Sequence, residues 1–170
     1  MRVILETKRL LLRECEESDF EALKKIVPGG EDEYTKKWLD WCLSSYQKDG
    51  FGLWAVIYKE NGDFIGNCGI SMQPIDGEWR KEIGYHIRKD YHRQGIATEV
   101  AKAIRDYFFS NYPDDEIYSY MDVDNIPSSK VAINNGMKYI KNFITKNGKE
   151  CKVYKITRKE WEEQNKGDLQ

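Results

Sequence analysis

The stretch EIGYHIRKDYHRQGIATEVAKAIRDYFF, residues 82–109, decides how the rest of the chain is read. Its opening alternates, with Ile83, Tyr85 and Ile87 on one face and Glu82, Gly84, His86 and Arg88 on the other, the period of a strand. From Ile96 the apolar period becomes helical: Ile96, Val100, Ile104, Tyr107 and Phe108 form a stripe, with the small Ala97 and Ala101 beside it. Between strand and helix lies a basic loop, Lys89-Asp90-Tyr91-His92-Arg93-Gln94-Gly95. The first amides of a helix have no internal partner and sit at the positive end of the macrodipole, so a phosphate placed there meets free N–H donors. Gly95 lacks a Cβ and lets a ligand approach the backbone. Arg88, Lys89 and Arg93 add positive charge. By local pattern alone the same residues also describe a strand, a basic turn and a surface helix with no ligand.

The residues HRQGIAT, preceded by EIGYHI and followed by Glu99 and Ala101, resemble the acyl-CoA-binding segment of the GNAT superfamily of N-acetyltransferases. That family's loop reads Gln/Arg-x-x-Gly-x-Gly/Ala; Gly95 and Ala97 fill the second and third fixed positions, and His92 replaces the first. The likeness is strongest to the RimJ/RimL-like branch, which acetylates ribosomal-protein N-termini. The resemblance implies an α/β fold: a mixed, mostly antiparallel central sheet with a splayed parallel strand pair at the acyl-CoA site, flanked by helices. It also implies acetyl-CoA as co-substrate and direct transfer without a metal.

Size and composition bound the reading. A chain of 170 residues fits one domain, here residues 1–170, and is long enough to bury a core. With 40% apolar residues it is globular, and a formal charge of −2 argues against direct nucleic-acid binding and mildly favours cationic substrates. No apolar run is long enough to span a bilayer, and the opening MRVILETKRLLLRE does not read as a signal peptide. Cys15, Cys42, Cys68 and Cys151 are scattered, without metal-ligand spacing. They read as reduced structural thiols of a cytoplasmic protein.

In chain order, residues 3–14 are expected to form the first strand, and Thr7-Lys8-Arg9-Leu10-Leu11-Leu12-Arg13 resembles the opening of the RimJ/RimL-like branch. Ser18-Asp19-Phe20-Glu21 reads as a capping box for a helix burying Phe20, Leu23, Ile26 and Val27 and ending at Pro28-Gly29-Gly30. A second helix is expected over about Glu31 to Gln47, with Tyr34, Trp38, Trp41, Cys42 and Ser45 on one face. Phe51 to Tyr58 and Phe64 to Ile70 read as strands of a hairpin turning at Asn61-Gly62; this hairpin is a second point of likeness. Asp76-Gly77 turns into the strand carrying Glu82. After a helix ending near Tyr112-Pro113, Glu116 to Val123 alternates and should run parallel to the Glu82 strand. Asp124 to Val131 matches the family's Asn-x-x-Ser turn into a short helix, with Pro127 suited to its first position and Gly136 its left-handed cap. Met137 to Thr145 and Lys149 to Thr157 form a hairpin about Asn147-Gly148. Arg158-Lys159-Glu160-Trp161 is the last point of likeness, and Glu162 to Gln170 reads as a frayed tail.

Acetyl transfer from a thioester to an amine needs a held donor, a neutral amine, a stabilised oxyanion and a protonated leaving thiolate. For the donor, the loop amides of Arg93, Gln94, Gly95, Ile96, Ala97 and Thr98 face a diphosphate. The resemblance implies that Ile87, Arg88 and Lys89 pair with the pantetheine arm, and that Asn125 and Ser128 make the other cofactor contacts. Glu82 and His86 share a strand face with Gly84 between them, which makes Glu82 the candidate base or ammonium anchor and His86 its rival. The position where many superfamily members carry a tyrosine acid is Ala132 here; Ser128 is the replacement the RimJ/RimL-like branch suggests. The resemblance sets the second helix beside the acceptor entrance, so Trp38 and Trp41 are candidate substrate contacts, with core packing the alternative. The expected acceptor is the N-terminal α-amine of a protein or peptide, as the resemblance implies, with a small amine such as a polyamine or aminoglycoside as the alternative. No membrane partner is expected, and the chain is monomeric or a homodimer. A CoA-responsive binding module and a plain nucleotide-binding domain are the competing classes.

Overall fold

The computed structural model describes residues 2–168. In chain order the elements are β1 (Val3–Glu6), β2 (Leu10–Arg13), α1 (Phe20–Lys24), α2 (Asp32–Asp49), β3 (Leu53–Tyr58), β4 (Phe64–Ile75) and β5 (Glu78–Ile87). They continue as α3 (Ile96–Asn111), β6 (Glu116–Asp122), α4 (Ile126–Asn134), β7 (Lys138–Ile144), β8 (Glu150–Thr157) and α5 (Arg158–Asp168). The strands form one eight-stranded sheet in the order β1-β2-β3-β4-β5-β6-β8-β7. β5 and β6 pair in parallel, as the helical crossover between them requires. The residues gather into two compact units: the chain through Ser71 with Gly84–Ile104, and Met72–Ile83 with the chain from Arg105 onward.

In the first unit the expected single strand over residues 3–14 is instead an antiparallel hairpin of β1 and β2. Thr7 breaks it: its amide bonds the Leu10 carbonyl at 2.8 Å and its hydroxyl accepts the Leu10 amide at 3.0 Å. β2 then pairs with β3, and β3 with β4, both antiparallel. The β3–β4 connection is longer than a two-residue turn, because Tyr58 donates to the Asp63 carbonyl and Gly62 to that of Tyr58. Leu10, Leu12, Trp54, Val56, Ile65 and Ile70 are fully buried or nearly so. Cys15, Leu23, Val27, Leu39 and Ala55 form a further core cluster, against which Phe20 and Trp38 pack.

The expected capping box also moves. The reciprocal pair is Glu16 with Asp19, the latter accepting the Glu16 amide at 2.7 Å. Asp19 is drawn there because Arg13 grips both its oxygens at 2.8 Å. Helix α2 buries Thr35, Leu39, Cys42 and Ser45; Trp38 and Trp41 are half-buried and Tyr34 is exposed. The buried face keeps Cys42 and Ser45 from the stripe that the sequence suggested but adds Thr35 and Leu39, with Trp38 and Trp41 at its edge and Tyr34 outside it.

In the second unit Asp76 and Gly77 both have positive φ, 51° and 83°, the pair a tight two-residue hairpin demands. β6 lies between β5 and β8, its Ile117, Ser119 and Met121 turned inward. Arg158 gathers the C-terminal end of α3, donating to the carbonyls of Phe109 (2.9 Å), Tyr112 and Asp114 (3.2 Å). Pro127 takes the second rather than the first position of α4, since Asn125 is the N-cap and Ile126 opens the helix.

The tail expected to fray is α5, helical through Asp168; Leu169 and Gln170 lie outside the described residues. Two features hold it. Thr157 and Glu160 cap each other reciprocally at 3.0 and 3.1 Å. Trp161 stacks on Phe109 at 5.2 Å and donates its indole N–H to Asp106 at 2.8 Å.

Candidate active site

In the first unit the loop after β5 is built from short local bonds. A 3₁₀ turn over Lys89–Tyr91 closes on the Arg88 and Lys89 carbonyls. The His92 ring nitrogen Nε2 donates to the Ile87 carbonyl at 2.7 Å, so this residue braces the loop. Arg93 (φ 64°) and Gly95 (φ 75°) are left-handed, and the Glu99 amide makes the bond to Gly95 O that starts α3. The amides of Ile96, Ala97 and Thr98, which precede it, belong to the helix end without internal acceptors. The loop surface is open: a Cβ placed on Gly95 would meet only Arg9 Nη2, 3.7 Å away, within 4 Å. A diphosphate of an acyl-CoA fits a loop of this kind, with amides on a helix end and no side chain over Gly95.

The basic residues of the loop have unequal roles. Arg88 is held by Asp90 at 2.7 and 2.9 Å, lies over the Tyr91 ring, and gives its amide to the Ile65 carbonyl. Its charge is balanced on the spot. Lys89, Arg93 and Gln94 are exposed.

Glu99 ties the same helix end to the β1–β2 turn. Its carboxylate accepts from the Thr7 hydroxyl (2.6 Å), the Arg9 amide (3.1 Å) and Arg9 Nε (2.7 Å). Burial by itself raises the Glu99 pKa, but these three donors outweigh it and hold the carboxyl below its usual range.

Farther back on β5, His86 meets Trp38 edge to face at 5.2 Å, and Trp38 meets Trp41 at 5.7 Å. Burial lowers the His86 pKa, which keeps the imidazole neutral. Trp38 is aimed by Asn67, whose Oδ1 accepts its indole N–H at 2.8 Å. Asn67 is 0% exposed; its amide also donates to the Trp54 carbonyl at 3.2 Å and to Cys15 Sγ.

In the second unit β5 and β6 pair in parallel at Glu82 and Tyr118, and side chains add to the pairing. The Ser119 hydroxyl donates to the Ile83 carbonyl at 2.8 Å, and the Tyr120 amide donates to Glu82 Oε2 at 3.3 Å. Glu82 is 8% exposed, and burial pushes its carboxyl up to about 8, against a smaller opposing effect of the Tyr120 amide. A carboxyl so placed can exchange a proton near neutral pH. Tyr120 in turn donates its phenol to Gln73 at 3.0 Å; burial, with the nearby Glu82 charge, pushes it up to about 12.

Asn125 caps α4 by accepting the Ser128 amide at 3.2 Å, and Ser128 is half-buried in the first turn. Ala132 is fully buried, and its methyl group has no proton to give.

The structure thus groups Trp38, Trp41 and His86 with the Ile87–Thr98 loop in one unit, and Glu82, Asn125 and Ser128 in the other. Sequence reasoning missed Arg9, Asn67 and Tyr120. Asn67 carries a signal, a carboxamide inside the apolar run Phe64–Ile70; Arg9 and Tyr120 carry none, because their roles come from residues distant in sequence.

A family model for the acetyltransferase (GNAT) domain matches residues 9–138. YkkB of Bacillus subtilis, an uncharacterized protein, is 34% identical over 120 residues, 71% of this chain and 69% of its own. Among solved structures, an acetyltransferase of Agrobacterium tumefaciens is 27% identical with a TM-score of 0.77, covering 92% of this chain and 94% of that one. RimL, a ribosomal L7/L12 α-N-protein acetyltransferase solved with coenzyme A, shares the fold at 18% identity and a TM-score of 0.73, over 92% of this chain and 98% of its own.

Proposed function

Because this chain belongs to the GNAT acetyltransferases, we propose that its acceptor is the N-terminal α-amine of a protein or peptide, acetylated by direct transfer within one domain spanning residues 1–170. The observation that carries this reading is the burial of Glu82 on β5, 8% exposed with the Tyr120 amide on its Oε2, which pushes its carboxyl up to about 8. A protein α-amine titrates at about 7.7–8.0, whereas a lysine-like amine titrates near about 10.4. Proton transfer from an α-ammonium to Glu82 is therefore close to balanced, and from an alkylammonium it is uphill.

Acetyl-CoA supplies the acetyl group as a thioester. The loop amides from Arg93 to Thr98 hold its diphosphate, the Ile87–Lys89 segment lies along its pantetheine arm, and Asn125 and Ser128 complete the cofactor contacts. An amide near Ile87 polarises the thioester carbonyl. Glu82 takes the proton of the acceptor amine, directly or through water. The Ser128 hydroxyl relays a proton from solvent to the departing thiolate, taking one as it gives one. His86, neutral beside Trp38, is the alternative base, and Trp38 and Trp41 contact the acceptor. RimL's stated activity on a ribosomal protein α-amine agrees with this choice of acceptor. We place the protein in the cytoplasm on the reading of its four free, buried cysteines as reduced thiols.

The second reading, a small-amine acetyltransferase, draws on the chain's net charge of −2. A thiol-release assay separates the two. Free-N-terminus peptides are expected to turn over faster than N-blocked lysine peptides, polyamines or aminoglycosides. A preference for polyamines or aminoglycosides transfers the assignment to the small-amine class. Thermal stabilisation by acetyl-CoA without thiol release across the panel marks a binding module instead.

A further inference from the structure

We infer that Arg9, from the turn just before β2, is a phosphate-binding residue of the donor site, its guanidinium serving the diphosphate of acetyl-CoA at Gly95. This rests on the acetyl-CoA reading above and adds a residue that lies outside the loop motif. Two of the loop's own side chains are committed elsewhere: Arg88 is neutralised by Asp90, and His92 is bonded to the Ile87 carbonyl. Arg9 reaches the loop from about ninety positions away in sequence, as the 90-residue separation of its bond to Glu99 records.

Its geometry is that of a donor held from behind. Glu99 takes Nε at 2.7 Å and the Arg9 amide at 3.1 Å, and is itself fixed by the Thr7 hydroxyl at 2.6 Å. Nη2 is left on the loop side, 3.7 Å from where a Gly95 Cβ would sit. Among the described residues the Nη groups have no hydrogen-bond partner. The Arg9 side chain is 31% exposed, so it faces solvent rather than the core. A guanidinium pinned through Nε keeps the fork of its Nη donors in a fixed plane, which suits the paired oxygens of a phosphate. Any side chain at position 95 would stand between this fork and the loop amides. That explains why glycine is needed there beyond its φ of 75°.

The test compares donors. Arg9→Met should weaken acetyl-CoA binding about tenfold or more, the worth of a charge-assisted hydrogen bond. It should weaken dephospho-CoA equally, because both carry the diphosphate, and leave kcat/KM for acetyl-pantetheine, which has no phosphate, unchanged. Equal loss with acetyl-pantetheine would mean that Arg9 only braces the helix through Glu99, and the inference fails. A loss confined to ligands bearing the 3′-phosphate also overturns it. Should the variant not fold, a crystal of the wild type with acetyl-CoA decides: an Arg9 Nη to diphosphate oxygen distance of about 3 Å supports the assignment and one beyond about 4 Å removes it. Wild-type protein that binds no acetyl-CoA at all defeats the proposed function instead, which keeps the two failures distinct.

Discussion

The backbone amide of Tyr120 on β6 donates to Oε2 of Glu82 on β5 at 3.3 Å, beside the backbone pair of Glu82 with Tyr118. One buried carboxyl thereby does two things: it satisfies a β6 donor, and it is presented as a titrating group near neutral pH.

Glu82→Gln keeps the shape and the acceptor for Tyr120 but cannot take a proton. Turnover should fall by about 10²-fold, with acetyl-CoA affinity changed by less than about threefold. The ratio of wild-type to variant kcat/KM should climb with pH and level off above about 8. A flat ratio across that range assigns the proton to His86 or water.

The same carboxyl affects stability with a definite sign. Its folded pKa, about 8, lies above the ordinary 4.5, so the native state binds the proton more tightly than the unfolded one. The stability this contributes is complete below about 4.5 and is lost as pH rises through about 8. Urea denaturation should show the wild type weakening relative to Glu82→Gln over that window; a constant difference would show that the carboxyl is ionised throughout.

Asn67 is expected to matter to both fold and acceptor. Replacing it by leucine removes the acceptor of the Trp38 indole N–H and one of the donors to the Trp54 carbonyl. The expected cost is about 2 kcal/mol, chiefly from the indole N–H losing its partner. Because Trp38 loses its aim, KM for the acceptor should rise while that for acetyl-CoA holds. Equal changes in both constants would detach Trp38 from acceptor binding.

Asp19 anchors the chain between β2 and α1 through Arg13. Burial pushes its pKa up, but the Arg13 bonds and the Glu16 amide win and hold it below 3.8. A lowered pKa gives stability that is present above the ordinary value and lost as pH falls through the folded one. Asp19→Ala should cost about 3 kcal/mol at pH 7, since it leaves the guanidinium unpaired, and should flatten the acid limb of the stability curve. An acid limb identical to wild type would place the titration elsewhere.

Gly69→Ala tests the packing of β3 on β4. A Cβ there would lie 2.1 Å from the Gly52 carbonyl oxygen, itself the acceptor of the Ile70 amide. Backbone cannot yield as a side-chain tip does, so the loss should be at least about 3 kcal/mol. A variant with wild-type melting temperature would contradict this strand spacing.

Much of the fold is legible from local pattern because strands and helices advertise themselves by period, as residues 82–109 do. Tight turns are legible where φ must be positive, as at Asp76-Gly77 and Gly136. The departures share one cause. The capping box moved to Glu16 and Asp19 because Arg13 competes for Asp19. The supposedly frayed tail became α5 because Trp161 finds Phe109, and the first strand split because Thr7 finds both Leu10 and Glu99.

By itself the sequence determined the order and type of most elements, the parallel sense of the β5–β6 pair and the open glycine loop at the start of α3, because these follow from neighbours a few residues apart. Only the tertiary structure decided that Glu82 is buried enough to titrate near 8, that His92 and Arg88 bond back onto their own loop, and that Arg9 faces Gly95. Desolvation and charge pairing depend on which distant segments pack together. No spacing along the chain encodes them.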